Sequence, residues 1–185
     1  MSKRYSTLRN RFAFAATGGL ISIVLAPTIA LRPARDDDLP FLYRVYASKR
    51  REELELVDWD EAQKEWFLHM QFDLQTRSYA QAFPKADCQV ILRDGQPIGR
   101  LMVSRAPDQI LLVDIALLPE HRNVGIGTVL VKTVLDEAAS VGMPVILHVE
   151  KLNRARFLYE RQGFLIAESN DVYLEMRWPG QGHTL

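Results

Sequence analysis

The sequence predicts an α/β fold of the α+β type, in which helices flank a mixed central sheet of about seven strands. Three patterns predict it. An apolar run over 110–118 is typical of a buried strand, and two glycines and an amphipathic helix follow it. Two strand-like runs are joined by Asp94-Gly95, a strong hairpin signal. The stretch 59–82 is typical of a long helix.

The composition narrows the class of protein. With 185 residues, 48% hydrophobic and 25% charged, the chain is large enough for one globular domain with a substantial core. The formal net charge is zero, which gives no electrostatic argument for a nucleic-acid partner. The single cysteine, Cys88, excludes an intrachain disulfide and is typical of a reducing compartment, so we predict a cytoplasmic protein. We predict no metal site.

The N-terminal part of the chain is basic and then uncharged. Its charged residues are Lys3, Arg4, Arg9 and Arg11. The uncharged stretch 12–31 superficially resembles a signal peptide or a membrane anchor. However, 28–33 is predicted as the first strand, which leaves about fifteen residues where roughly 20 are needed to span a bilayer. We therefore predict a poorly ordered extension over 1–27, a domain over 28–180 and a tail over 181–185, with membrane association as the alternative.

Two helices are predicted after the first strand. The first covers 36–50 and has an apolar face formed by Leu39, Leu42, Tyr43 and Tyr46. The second covers about 59–82, with Asp58 or Asp60 as its N-cap. Its apolar stripe is predicted to comprise Trp66, Phe67, Met70, Leu74 and Tyr79. Because aromatic residues at helical spacing usually pack in a core, we expect Trp66, Phe67 and Phe72 to be buried.

The remaining elements follow from turns and apolar runs. The hairpin strands are predicted over 88–92 and 98–104, with Cys88 as a buried small hydrophobe. A helix is predicted from Ile126 until Gly142 stops it, with the apolar positions Ile126, Val129, Leu130, Val134, Ala138 and Val141. Further strands are predicted over 144–149, 166–167 and 172–178. The resulting order is β-α-α-β-β-β-α-β-α-β-β.

The loop between the central strand and the third helix is predicted to bind a pyrophosphate. Its residues are Arg122, Asn123, Val124, Gly125, Ile126, Gly127 and Thr128. A strand, a glycine loop and a helix together present free backbone N–H groups and a positive dipole end to an anion. Glycine lets phosphate approach the backbone, and Arg122 can add a charge-assisted contact. A P-loop is excluded because no lysine follows Gly127, and a dinucleotide fingerprint is matched only in its first two glycines.

Two motifs in the chain resemble those of the GNAT acetyltransferases. Arg122, Gly125 and Gly127 are in register with motif A of that family, R/Q-x-x-G-x-G/A. The stretch 153–164 resembles motif B, N-x-A-x-x-x-Y-x-x-x-G-F, through Asn153, Ala155, Tyr159, Gly163 and Phe164. The two motifs occur in the order and at the separation of the family, and the resemblance covers about 29–178.

The resemblance implies acetyl-CoA as co-substrate and assigns roles to residues. The loop 122–128 would cradle the pyrophosphate, and Asn153 and Ala155 would also border the cofactor. Backbone groups of Ile115, Ala116 and Leu117 would hold the pantetheine and the thioester carbonyl. Tyr159 would be the general acid that protonates the departing thiolate.

The general base is left open at this point. His148 is the first candidate, because it is in register with the glutamate of an E-V-x-x-x-N segment in ribosomal-protein alanine acetyltransferases. Glu150 would point the same way and is the second candidate, and Asp114, alone in an apolar strand, is the third. Water that relays a proton to a distant carboxylate is a further alternative.

The sequence thus predicts an acetyl-CoA-dependent N-acetyltransferase that acts by direct attack of a primary amine in a ternary complex. Two alternatives remain: an acyltransferase that uses a longer acyl-CoA, and a non-catalytic module that senses acetyl-CoA. The acceptor is a small-molecule or peptide amine of unknown identity. A homodimer is left open.

Overall fold

The computed structural model describes residues 28–180 except for the side chain of Glu52, so the predicted extension 1–27 and tail 181–185 lie outside the described residues. The strands are β1 Ile29–Pro33, β2 Asp87–Arg93, β3 Gln96–Arg105, β4 Ile110–Leu117, β5 Val145–Glu150, β6 Leu165–Ser169 and β7 Tyr173–Trp178. The helices are α1 Leu39–Leu54, α2 Glu61–Ala82, α3 Ile126–Ser140 and α4 Ala155–Arg161. The predicted fold class and order of elements are confirmed. None of the described helices is long and apolar enough to cross a membrane.

The seven strands form one sheet in the order β1-β2-β3-β4-β5-β7-β6. Every neighbouring pair is antiparallel except β4 and β5, which are parallel. That parallel pairing covers three residue pairs only, from Ile110–Val145 to Leu112–Leu147. The register with β3 then shifts at Val113, which marks a bulge in β4. Beyond it, 113–117 of β4 and 148–150 of β5 are not paired with each other, and we call the space between them the opening.

Helices cover both faces of the sheet. Ile91 belongs to the core cluster beneath α3 and α4, whereas its neighbour Val90 packs with Leu42 of α1 and Phe72 of α2. Because successive side chains of a strand point to opposite faces, α1 and α2 lie on one side and α3 and α4 on the other. We call these the α1–α2 face and the α3–α4 face.

The helix α3 buries a wider stripe than the sequence predicted. Ile126, Leu130, Val134 and Ala138 are buried as expected, and Val131 and Leu135 are buried with them. Val129 and Val141, the other two apolar positions of the predicted helix, are exposed. Each buried Leu or Val of this stripe stabilises the fold by about 1.5–3 kcal/mol, which fixes the start of α3 firmly against the sheet.

The second helix is rotated relative to the predicted stripe. It begins at Glu61, and the Asp60 side chain caps it by accepting a hydrogen bond of 2.8 Å from the Gln63 N–H. Within α2, Leu68 and Phe72 are buried. Trp66 is 67% exposed and Leu74 is also exposed, so the prediction that both contribute to the apolar stripe was wrong. One apolar residue per turn suffices here because α2 packs on the sheet and on α1 along a narrow line.

The first helix and the hairpin differ only in detail from the prediction. A short 3-10 turn over Asp36–Asp38 precedes α1, and Leu39 is exposed rather than on the packed face. The hairpin turn is confirmed: Asp94 and Gly95 have φ of +51° and +81°, as a two-residue turn with left-handed residues requires. Cys88 is half-buried in β2.

Candidate active site

The opening exposes backbone groups of β4. The Leu118 N–H donates to the Ile98 carbonyl of β3 at 2.9 Å. Because N–H directions alternate along a strand, the N–H groups of Leu117 and Ile115 point away from β3, into the opening. Of the three residues predicted to hold the thioester, Ile115 and Leu117 therefore present backbone groups there, whereas the N–H of Ala116 points toward β3.

The glycine loop leads from the end of β4 into α3. Asn123 and Gly125 have φ of +60° and +86°, a left-handed conformation that turns the chain sharply. The first helical bond is 3.2 Å long and joins the Val129 N–H to the Gly125 carbonyl. The preceding N–H groups, those of 126–128, have no hydrogen-bond partner in the described part of the chain, as expected for a helix start.

The two glycines of the loop have different surroundings. A Cβ added at Gly125 would meet no atom within 4 Å, so the space beside the free N–H groups is open. A Cβ added at Gly127 would lie 3.3 Å from Cδ2 of Leu158 in α4. Gly125 thus leaves room for an anion, and Gly127 additionally allows α3 and α4 to approach each other.

Arg122 connects the end of β4 to α1. Its Nε donates to the Leu117 carbonyl at 2.8 Å, and its Nη2 donates to the Ser48 hydroxyl at 3.0 Å. Two of its nitrogens are therefore already bonded within the protein. The guanidinium thus fixes the end of β4, at the edge of the opening, against α1.

Tyr159 is a residue of α4, and its side chain belongs to the core between the helices α3 and α4 and the sheet. Asn153 starts the helix by accepting a 2.9 Å bond from the Ala155 N–H, and Ala155 and Tyr159 follow on one face. The Tyr159 side chain is only 6% exposed, and its ring meets Phe164 edge-on at 5.8 Å. Burial, and then the negative charge of Asp114, raise the pKa of Tyr159 well above its usual value. The phenol is therefore protonated at neutral pH.

The Tyr159 hydroxyl makes no hydrogen bond with any described residue. The hydroxyl oxygen itself keeps some contact with solvent, although the side chain as a whole is buried. Tyr159 belongs to the core cluster against which Ile115 and Leu117 of β4 pack. It is a proton donor without a partner beside the site that the loop and β4 define.

The three candidate bases are on the opposite, α1–α2 face. Leu147 and Val149 belong to the core under α3 and α4, so the alternating residues His148 and Glu150 point the other way, as predicted. His148 Nε2 lies 3.3 Å from Oε2 of Glu175, its partner across β5 and β7. The His148 side chain is 55% exposed, so an incoming molecule can reach it.

Glu150 and Asp114 are both paired with arginines. Glu150 Oε1 lies 3.8 Å from Nη2 of Arg50, a residue of α1 whose Nη1 also donates to Glu53 at 2.8 Å. Asp114 accepts two bonds at one oxygen, Oδ2: from Nε of Arg100 at 2.9 Å and from Nη2 at 2.7 Å. Asp114 is thus the lone charged residue of its strand, as the sequence shows, but it has a charged partner on the neighbouring strand.

Three residues around these candidates were not singled out from the sequence for a role in the site. Glu175 contacts His148, Arg100 contacts Asp114, and Gln75 of α2 accepts a 3.2 Å bond from Arg100 Nη2. Arg100 could have been found from the sequence, because it is a charged residue in an otherwise apolar strand and the next strand carries the opposite charge of Asp114. For Glu175 the signal was weaker, because it depends on the pairing of β5 with β7.

Comparison with known proteins gives a family and one relative. A sequence model of the acetyltransferase (GNAT) family matches residues 51–164. A ribosomal protein bS18-alanine N-acetyltransferase of Haemophilus influenzae is 32% identical over 75 residues, which are 40% of this chain and 51% of that protein. The match thus spans about half the length of that relative.

Solved structures share the fold at low identity. The PaiA N-acetyltransferase of Thermoplasma acidophilum in complex with coenzyme A superposes with a TM-score of 0.62 at 18% identity, over 82% of this chain and 98% of that one. The ribosomal-protein-S18-alanine N-acetyltransferase of Escherichia coli superposes with a TM-score of 0.54 at 19% identity, over 85% and 99% of the two chains.

Proposed function

Because this chain belongs to the GNAT family of acetyltransferases, we propose that it transfers the acetyl group of acetyl-CoA to a primary amine by direct attack in a ternary complex. One observation carries the proposal. The opening between β4 and β5 has unpaired backbone groups on one strand, a free helix start at one end and a protonated Tyr159 beside it. Acyl transfer from a thioester needs these parts together.

Acetyl-CoA would bind along the opening. Its pyrophosphate would accept hydrogen bonds from the N–H groups of 126–128, where Gly125 leaves space and the dipole of α3 favours negative charge. Its pantetheine would pair with the backbone of Ile115 and Leu117, in the place that β5 leaves empty. Asn153 and Ala155, at the start of α4, would border it from the other side.

The reaction would first form the bond between the amine nitrogen and the acetyl carbon and then break the C–S bond. The amine nitrogen attacks the thioester carbonyl to form a tetrahedral intermediate, whose oxygen accepts hydrogen bonds from the backbone of β4. The C–S bond then breaks, the acetyl group stays on the nitrogen, and the thiolate takes the proton of the Tyr159 hydroxyl. Burial keeps that proton on Tyr159 until a developing thiolate needs it.

We assign the base to His148. A base needs an accessible nitrogen and a group that orients it, and Glu175 contacts the imidazole at 3.3 Å on the face where an amine would enter. Glu150 is on the same face but pairs with Arg50, which competes for its carboxylate. His148 would take the proton that the amine loses.

The first acceptor to test is a peptide that begins with alanine. The support is the relative from Haemophilus influenzae, which is named for acetylating the alanine terminus of a ribosomal protein. Lysine side chains, aminoglycosides, polyamines and free amino acids complete the panel of amines.

The test measures free thiol released from acetyl-CoA with each amine, together with calorimetric binding of acetyl-CoA. We expect binding and thiol release that depends on at least one amine. Binding without release, with every amine, would favour the sensor instead. Release only from a longer acyl-CoA would change the donor but keep the reaction class.

A further inference from the structure

We infer that Asp114 binds the amino group of the acceptor through the carboxylate oxygen that Arg100 leaves unpaired. The acceptor would therefore enter as a cation. This inference rests on the proposed function and deepens it, because it names a residue that selects ammonium over uncharged nucleophiles.

The position of Asp114 in β4 supports this role. It is the first residue after the bulge at Val113 and lies beyond the last residue pair of β4 with β5. Its neighbour Ile115 presents its N–H to the opening, where the thioester carbonyl would lie. The Asp114 side chain projects to the α1–α2 face, which also carries His148. An amine that contacts Asp114 would thus lie beside both the carbonyl and the base.

The hydrogen bonds leave one oxygen available. Both bonds from Arg100 reach Oδ2, at 2.9 and 2.7 Å, and Oδ1 has no hydrogen bond with any described residue. The carboxylate is fixed by this two-nitrogen contact, so Oδ1 can accept an N–H without reorganisation. The side chain of Asp114 is 17% exposed, which is enough for contact with a small group.

The surroundings of Arg100 explain how the carboxylate is held. Among the charged residues whose side chains the structure describes, only Arg100 is buried, at 7% exposure. Gln75 of α2 accepts its third bond, and the ring of Tyr79 lies 5.7 Å from its guanidinium carbon. A buried ion pair contributes little net stability after desolvation, so its presence next to the opening favours a functional role.

The charge of Asp114 reaches both sides of the opening. It contributes, after burial, to raising the pKa of Tyr159 on α4 and of Tyr79 on α2. The carboxylate therefore lies within electrostatic range of the proposed acid and of the helix that walls the α1–α2 face. An ammonium bound to Oδ1 gives one proton to His148, which passes it to solvent, and its remaining N–H bonds to Asp114 orient the lone pair toward the carbonyl. After the attack, the nitrogen gives its second proton to His148, and the thiolate takes the proton of Tyr159 as the C–S bond breaks.

The experiment compares Asp114→Asn with the wild type on two nucleophiles. One is a hexapeptide that begins with alanine, whose terminus is largely an ammonium at pH 7. The other is hydroxylamine, which is mostly uncharged at that pH. We expect the KM of the peptide to rise roughly 10- to 100-fold, as for the loss of a charge-assisted hydrogen bond, with the KM of acetyl-CoA within about twofold. Hydroxylamine turnover, corrected for the uncatalysed reaction, should change little.

Two further variants separate binding from structure. Asp87→Asn is the matched control, because it removes a carboxylate that accepts a 2.7 Å bond from Arg105 at the other end of β3, away from the opening, so its kinetics should stay near those of the wild type. Should Asp114→Asn fail to fold because Arg100 loses its charged partner, the double variant Arg100→Met with Asp114→Leu removes both charges. It should fold and show the same selective loss with the peptide.

The outcomes are distinguishable. If the wild type releases no thiol with either nucleophile or with any amine of the panel, the proposed function is overturned, and this inference with it. If the wild type is active but the Asp114 variants lose activity with both nucleophiles equally, or with neither, the inference alone is overturned. An equal selective loss in Asp87→Asn would also overturn it, because the loss would then not depend on a carboxylate at the opening.

Discussion

Replacing Gly125 by alanine adds one methyl group beside the free N–H groups at the start of α3. The backbone there has φ of +86°, so alanine costs about 1–2 kcal/mol of folding free energy. No atom lies within 4 Å of the added Cβ, so the protein itself meets no clash. The left-handed strain is present in both free and bound protein and cancels in the binding equilibrium. What remains is the contact that the methyl group would make with the pyrophosphate if the loop binds it as proposed.

We expect Gly125→Ala to weaken acetyl-CoA binding more than tenfold, which corresponds to over about 1.4 kcal/mol. Gly142 supplies the matched control, because it follows the other end of the same helix, has φ of +67° and also has no atom within 4 Å of an added Cβ. Gly142→Ala should lose similar stability in urea denaturation yet bind acetyl-CoA like the wild type in calorimetry. If the two variants bind equally well, the loop does not hold the pyrophosphate. Gly127 is less suitable for this test because its substitution also presses on Leu158.

Three other predictions concern the proposed general acid Tyr159, the ion pair of Arg32 with Asp38, and Arg122 at the edge of the opening. Tyr159→Phe should lower turnover roughly 10²–10⁴-fold in the thiol-release assay with unchanged acetyl-CoA affinity, and wild-type turnover would assign the ring to packing alone. Pairing with Arg32 lowers the pKa of Asp38 from 3.8 to about 2, so the pair stabilises the fold above pH 4 and this contribution disappears as the pH falls to 2. Because solvent screens this pair, Asp38→Asn should lower the free energy of unfolding by about 1 kcal/mol at pH 7 and by little at pH 2 in urea titrations; a loss independent of pH would contradict this. Arg122→Ala should destabilise the protein by about 1–3 kcal/mol because the Leu117 carbonyl loses its donor, whereas Ser48→Ala should cost less than about 1 kcal/mol; equal losses would contradict that account.

Local patterns predicted the parts of the fold that depend on few neighbours in the sequence. The Asp94-Gly95 turn needs two left-handed residues, and the start of α3 needs glycine beside a buried strand, so both were recognisable from the residues alone. The Asn153 cap and the face shared by Ala155 and Tyr159 also follow from spacing along one helix.

Features that depend on packing between distant segments were missed. Trp66 is exposed because the rotation of α2 is set by its contacts with α1 and the sheet, which helical periodicity cannot fix. Asp114 looked isolated because its partner Arg100 is on the neighbouring strand, 14 residues away in the chain. Glu175 meets His148 only through the register of β5 with β7. The chemistry of single residues was predictable, but their partners required the sheet.

The short pairing of β4 with β5 divides the sheet into two cooperative units. The ladder β1–β4 and the ladder β5-β7-β6 are each continuous, but only three residue pairs join them. A ligand whose amide groups bond to Ile115 and Leu117 would supply hydrogen bonds that β4 and β5 do not make with each other, and so would join the two units. Without ligand, the amide protons of the two ladders are expected to exchange with solvent at different rates. With acetyl-CoA bound, they should exchange together, because opening either half would first require release of the ligand.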